Sequence, residues 1–205
     1  MALPTEFWPS KISDFADGTT VKNASGTVYP VSKFFRSTLA NMATIKSKGY
    51  GPLLCGDTGV GKTALAAMLL KEARRRKYTT FFTMIWYLRD SISNRYLFDV
   101  NTSIMERCRH VDFLVLDGLV SEDKYRRVLP VSDIERLVVW RGQQAKVTIV
   151  TTRPKTKAEF EAAKMDSFLN GTGAYLTPVT LQGAGAKNTR KANMRDAFFV
   201  DEDEE

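Results

Sequence analysis

Eight consecutive residues, Gly56-Asp57-Thr58-Gly59-Val60-Gly61-Lys62-Thr63, fit the pattern G-x-x-x-x-G-K-[ST]. Their types suit one task, the grip of a run of phosphates. The glycines let the backbone turn tightly and aim successive N–H groups at one point. Lys62 brings a charge that can reach the β- and γ-phosphates, and Thr63 offers a hydroxyl to Mg²⁺. Such a site needs a second carboxylate, on a neighbouring strand, to hold the metal. Asp117, 55 residues after Lys62, ends the apolar run VDFLVLD and fits that role. ATP and Mg²⁺ are therefore the expected ligands.

A hydrolase also needs a group that orients the attacking water. The residue after Asp117 is Gly118, which has no side chain to offer. Glu122 and Asp123 are the nearest acids downstream; Glu122 either folds back to that task or is a solvated loop acid. The run VTIVTT ends in Thr151 and Thr152, followed by Arg153. The edge of a parallel sheet would place these beside the phosphate loop. Thr152 is then a candidate sensor of the γ-phosphate and Arg153 a candidate cation; the competing reading is an ordinary strand end before Pro154.

The elements that must position these groups are legible around them. Pro52 to Cys55 is a short apolar run of strand character, and Ala64 to Arg75 is rich in good helix formers. The motif thus lies between a strand and a helix, where it has to lie. Thr79–Met84, Val111–Asp117 and Val147–Thr152 read as further strands. Lys33–Lys48 reads as one helix stopped by Gly49, and Trp86–Tyr96 as another. Leu97–His110 reads as loop or short helix. Asp133–Arg141 reads as a helix with Ser132 as its N-cap, Thr156–Met165 as another, and Thr177–Leu181 as a short extended segment. Residues 1 to about 30, with Pro4, Pro9, Gly18, Gly26 and Pro30, read as an irregular arm anchored by Phe7, Trp8 and Phe15. Strands alternating with helices predict an α/β P-loop fold with a mostly parallel sheet flanked by helices.

The 205 residues, 43% hydrophobic, suit one domain with a sizeable core. The formal charge is +7, and setting aside the five terminal acids Asp201 to Glu205 leaves +12. A basic body favours a polyanionic partner, nucleic acid first. Arg74-Arg75-Arg76-Lys77 is a candidate phosphate contact, or else a solvated helix end favoured by the helix dipole. Lys187, Arg190, Lys191 and Arg195 form a second basic cluster. The acidic tail beyond Phe198-Phe199-Val200 is expected to be mobile, and to compete with DNA for the basic surface, dock on a partner, or merely solubilise. Cys55 and Cys108, unclustered, offer neither a zinc site nor a disulfide framework. No apolar run approaches a membrane span, and the N-terminus lacks the pattern of a signal peptide, so a cytoplasmic location is expected. The sole histidine, His110, reads as structural.

In this order and spacing the sequence resembles the DnaC/IstB-like branch of the AAA+ ATPases, which includes replicative helicase loaders and transposition helper ATPases. The resemblance is carried by PLLCGDTGVGKTALAAMLLKEA, FFTMIWYLRDSI, VDFLVLDGLV, ERLVVWRGQQAKVTIVTTRP and LTPVTLQG. It implies an AAA+ type core over residues 49–183, between an N-terminal arm and helix (1–48) and a basic then acidic tail (184–205). It implies Walker A at Gly56–Thr63, the Walker B aspartate at Asp117 and sensor 1 around Thr152 and Arg153. Arg141 matches a basic position before the sensor strand. Three departures stand out: Gly118 in place of an acid, Thr-Thr-Arg where Asn is common, and Ser167-Phe168-Leu169 where relatives present an arginine to a neighbouring subunit's ATP. The short stretch before the P-loop, with these losses, points to a phage-type version.

The implied function is an ATP-binding protein of DNA replication. It would bind single-stranded DNA and a replicative helicase or other replication protein, with a homo-oligomer among the assemblies to expect. ATP would act as a conformational switch and be hydrolysed weakly. Two other classes compete: a P-loop kinase of a small metabolite or nucleotide, for which Arg126-Arg127 is a thin lid candidate, and a non-catalytic ATP-binding interaction module.

Overall fold

The computed structural model describes residues 11–15, 17–88, 98–119 and 130–183, with only the backbone for 98–103. Among these residues, seven strands form one sheet in the order β2-β1-β7-β3-β6-β5-β4. The strands are β1 (Thr20–Asn23), β2 (Val28–Pro30), β3 (Gly51–Cys55), β4 (Thr80–Met84), β5 (Phe113–Leu119), β6 (Val147–Thr152) and β7 (Leu176–Gln182). From β7 to β4 every neighbouring pair is parallel; β1 and β2 add an antiparallel hairpin outside β7. The labelled helices are α1 (Val31–Ala40), α2 (Met42–Lys48), α3 (Lys62–Arg75), α4 (Phe98–His110), α5 (Val131–Gln143), α6 (Lys157–Ala162) and α7 (Asp166–Thr172).

Alternation along the strands builds a core on each face of the sheet. Leu54, Phe82, Phe113, Val115, Val147 and Ile149 pack with Val31, Phe35, Met42 and the α3 residues Leu65 and Leu69. Their sequence neighbours Leu53, Cys55, Phe81, Leu114, Leu116 and Val150 face the other way, against Cys108, Ile134, Val138, Phe160 and Phe168. A sheet buried on both faces is what run-like apolar strands require.

Several elements differ from the sequence reading. The arm contains the β1–β2 hairpin, and Thr20–Asn23 bonds to β7, so residues 20–30 belong to the same sheet as the P-loop strand. The helix expected over 33–48 is two helices broken at Asn41, whose side-chain amide donates to Ser37 O at 2.9 Å and so competes with the helical ladder. Residues 85–88 are helical, and the rest of the helix expected to Tyr96 lies outside the described residues. Residues 98–110 form a full helix of 13 residues, α4. Helix α5 starts at Val131 with Pro130, not Ser132, at its N-cap; the Pro130 carbonyl accepts from Asp133 N–H at 3.0 Å. Thr156 caps α6, which stops at Ala162 because Lys164 turns left-handed (φ 55°) and Met165 N–H reaches back to Phe160 O. The separate helix α7, with Phe168 fully buried, had no counterpart in the sequence reading.

Arg141 is the largest fully buried side chain among the described residues. Its guanidinium donates to Cys108 O (2.6 Å), Arg109 O (3.0 Å) and Val111 O (3.0 Å), closing the C-terminal end of α4. It also holds Val147 O at 2.7 Å and the Thr148 hydroxyl at 2.9 Å, at the start of β6. Burial pulls its pKa down to about 10. The basic position before the sensor strand is therefore an internal clamp, away from the phosphate loop.

Candidate nucleotide-binding site

The loop from Gly56 to Gly61 leaves β3 at the C-terminal edge of the parallel strands and runs into the first turn of α3. Its backbone must pass close to β7: a Cβ on Gly56 (φ 141°) would stand 2.7 Å from Leu181 O. Asp57, Thr58 and Gly59 are exposed, and Val60 folds back into the core. The Lys62 ammonium donates to Gly56 O (2.8 Å) and Asp57 O (2.6 Å), so it is held across the mouth of the loop. Partial burial lowers its pKa, Asp117 and Asp57 oppose the shift, and the charge of Arg153 adds to it.

The start of α3 and the end of β6 converge on the Asp117 carboxylate of β5. The Thr63 hydroxyl, in the first turn of α3, donates to Asp117 Oδ1 at 2.9 Å. The Thr151 hydroxyl, near the end of β6, donates to the same oxygen at 2.7 Å and accepts from Gly118 N–H at 2.9 Å. Asp117 and Gly118 sit in an irregularity of β5, between the pairs Leu116↔Val150 and Leu119↔Thr152. Gly118 has φ 84°, a conformation that glycine adopts without strain, and open space where a Cβ would stand.

Among the sequence candidates, Lys62, Thr63 and Asp117 come together. The Thr152 hydroxyl is buried and donates to Leu119 O at 2.9 Å; it is Thr151 that faces Asp117. Arg153 is exposed, just beyond the strand end. Phe168, aligned with the expected trans arginine, is a core residue. Arg74 to Lys77 are exposed at the far end of α3, on the opposite edge of the sheet from the phosphate loop. Glu122, Asp123, Arg126, Arg127, Lys187, Arg190, Lys191, Arg195 and the acidic tail lie outside the described residues. One contact had no forecast: Lys155 Nζ lies 3.0 Å from both carboxylate oxygens of Asp57, which raises the lysine's pKa. Its only sequence signal was a cation placed two residues after Arg153.

The donor set suits Mg²⁺. A threonine hydroxyl and a carboxylate are hard oxygen ligands, and Mg²⁺ beside phosphates is commonly held by one or two carboxylates, not by a protein cage. No group of three or more His, Cys, Asp or Glu able to hold a metal occurs among the described residues. Cys55, behind the loop, is buried with its thiol pushed up to about 12 by burial, and is inert packing.

An α/β P-loop fold with this strand order and this site is of the AAA+ type, and the chain has the fold of the DnaC/IstB-like AAA+ proteins. It is similar to the DnaC helicase loader, with 20% identity and a TM-score of 0.64 over 87% of this chain and 99% of that one. It is similar to DnaI, with 18% identity and a TM-score of 0.66 over 89% and 96%. The replication initiator DnaA bound to AMPPCP and single-stranded DNA also matches, with 15% identity and a TM-score of 0.54 over 84% of this chain; the chain spans about half of its length, 52%. These are likenesses of fold. No protein-family model and no curated protein matches the sequence.

Proposed function

We propose that this chain is an ATP-binding protein of DNA replication, akin to the helicase loaders, that uses ATP as a switch. One observation carries the reading: Thr63 and Thr151 converge on Asp117 beside the phosphate loop, joining α3, β5 and β6 in one hydrogen-bonded unit. In this reading the loop N–H groups and Lys62 bind the phosphates, while Thr63 and Asp117 hold Mg²⁺. The metal would supply the charge that neutralises the phosphate oxygens. Exchange of the Lys62 contacts for phosphate contacts, and of the Thr63–Asp117 contact for the metal, would shift Asp117, and Thr151 would carry that shift to β6 and to Arg153.

Hydrolysis is slow in this reading. Gly118 brings no carboxylate to the attacking water, and Phe168 brings no cation to a neighbouring copy; Glu122 and Arg153 are the reserve groups. The partners are single-stranded DNA and a replicative helicase or other replication protein, in a cytoplasm. The likeness to loaders and to a DnaA described with AMPPCP and single-stranded DNA supports the choice. Arg74 to Lys77 supply phosphate contacts, joined by Lys187, Arg190, Lys191 and Arg195.

Titration with a fluorescent ATP analogue tests the nucleotide site. Lys62→Ala is expected to weaken binding by about 1.5–3 kcal/mol through loss of a charge-assisted contact. Equal affinity in variant and wild type would sink the assignment. A pull-down with ATP and with ADP tests the partner, and a helicase retained only with ATP is the expected result.

A further inference from the structure

The edge of the sheet opposite the phosphate loop collects charge in a way the nucleotide site does not use. Helices α2, α3 and α4 each end there in basic residues: Lys46 and Lys48, then Arg74 and Arg75, then Arg107 and Arg109. The helix dipole accounts for cations in a last turn. It does not account for Arg76 and Lys77, which continue the run beyond the helix with Lys77 left-handed at φ 65°.

These ends form one connected surface. Lys46 Nζ bridges Asp112 (3.3 Å) and Ala145 O (2.8 Å), tying α2 to the turns that enter β5 and β6. Asp112 accepts from Thr79 N–H (3.0 Å) and its hydroxyl (2.8 Å), which ties in the turn entering β4. Lys146 Nζ donates to His110 O at 2.6 Å, joining the end of α4 to the start of β6. Three acids at these helix ends are engaged: Glu72 with Arg75, Glu106 with Arg109 and His110, Asp112 with Lys46. Arg74, Arg76 and Lys77 are exposed and make no ion pair among the described residues.

Two exposed aromatic side chains adjoin these helix ends. Tyr50, 44% exposed, precedes β3 with the Lys48 ammonium 5.8 Å from its ring centroid. Trp140, 38% exposed, sits in the last turns of α5 with its ring nearly perpendicular to that of His110, centroids 6.3 Å apart. Cations interleaved with accessible rings are the pattern that grips single strands, the cations on phosphates and the rings on unpaired bases. From β3 across β6 and β5 to β4 is three strand spacings, about 15 Å of continuous edge.

We propose that this edge binds single-stranded DNA, with Arg74, Arg76 and Lys77 on the phosphates and Tyr50 and Trp140 as stacking platforms. The inference rests on the reading of the chain as a protein that acts on DNA, and adds where the strand lies. Helix α3 separates the two ligands: its first turn carries Lys62 and Thr63, its last turn Arg74 and Arg75. At 1.5 Å per residue the separation is about 20 Å. The proposed strand path therefore does not touch the phosphate-loop lysine.

The test is fluorescence anisotropy of labelled oligo-dT, alongside titration of the fluorescent ATP analogue. In R74Q/R76Q/K77Q, affinity for oligo-dT at low salt is expected to fall at least about tenfold, and the log–log salt slope to shrink by about 2, at roughly 0.7 per lost phosphate contact. Tyr50→Ala and Trp140→Ala should each weaken oligo-dT about fivefold or more, with less effect on a duplex of the same length. All three variants should bind the ATP analogue as wild type does, which shows that the fold is kept. If wild type binds oligo-dT and the edge variants bind it equally well, this placement is wrong while the DNA reading stands. If wild type fails to bind at low salt, both fall.

Discussion

The hydroxyl of Thr151 donates to Asp117 Oδ1 at 2.7 Å, on the oxygen that Thr63 also reaches. The same hydroxyl accepts from Gly118 N–H, so one threonine fixes both the carboxylate and the backbone after it. Thr151→Val should release both and weaken Mg²⁺-dependent binding of an ATP analogue by about 0.5–1.5 kcal/mol, the usual net worth of an intramolecular hydrogen bond. Thr151→Ser should restore most of it. Equal Mg²⁺ midpoints in all three proteins would show that Thr151 is a packing residue only.

Gly118 is the position at which hydrolysis should be adjustable. Steady-state phosphate release by the wild type is expected below about 1 s⁻¹, the low end of the usual enzyme range. A Cβ at Gly118 meets no atom within 4 Å, so Gly118→Glu has room, although φ 84° is strained for any other residue. The strain should cost about 1–2 kcal/mol of stability. A carboxylate placed to orient water is worth about 10²–10⁴-fold, so phosphate release should rise by at least the lower figure. A fast wild type whose rate is lost in Glu122→Gln would instead place the water-orienting group on that acid.

Arg141 should be among the costliest side chains to replace. Its guanidinium satisfies carbonyls at the end of α4 and the start of β6 at once. Lysine has the charge but not the planar fork. Both Arg141→Lys and Arg141→Met should lose about 3 kcal/mol in urea unfolding, through carbonyls left buried without donors. A loss below about 1 kcal/mol in Arg141→Lys would mean that water or a shifted backbone replaces the fork.

Asp112 should make stability depend on acid pH. Burial works against its charge, but the Thr79 hydrogen bonds and Lys46 outweigh it and hold the carboxyl below its ordinary value of 3.8. A carboxyl depressed in the folded state contributes stability that is complete above the unfolded pKa and lost as pH falls through the folded one. Urea midpoints of the wild type should therefore fall more steeply below about pH 4 than those of Asp112→Asn. Parallel curves would remove this residue from the account.

The pieces nearest the phosphates were the easiest to read. The glycines, Lys62 and Thr63 are local in sequence, and the β-branched run Val147–Thr152 forms the strand it predicts. Choosing between Thr151 and Thr152 was harder, because it depends on the irregularity in β5 that turns Asp117 toward one of them. The β1–β2 hairpin went unread for a different reason. Thr20–Asn23 has one buried residue, Val21, and takes its strand conformation from pairing with β7, about 160 residues away in sequence. The Lys155–Asp57 contact is likewise set by how the sheet closes, not by any local pattern.

That hairpin also governs how the sheet stops. Without it β7 would present an open row of N–H and C=O groups beside the P-loop strand, a template for strand addition by another molecule. With it, that side of the sheet finishes, among the described residues, on β2, three residues long and ending in Pro30, which has no N–H to donate. Growth of the sheet from one copy into the next is discouraged there. On that side a second copy of this chain meets a short, proline-ended strand, and β7 beside the P-loop strand is already paired on both edges.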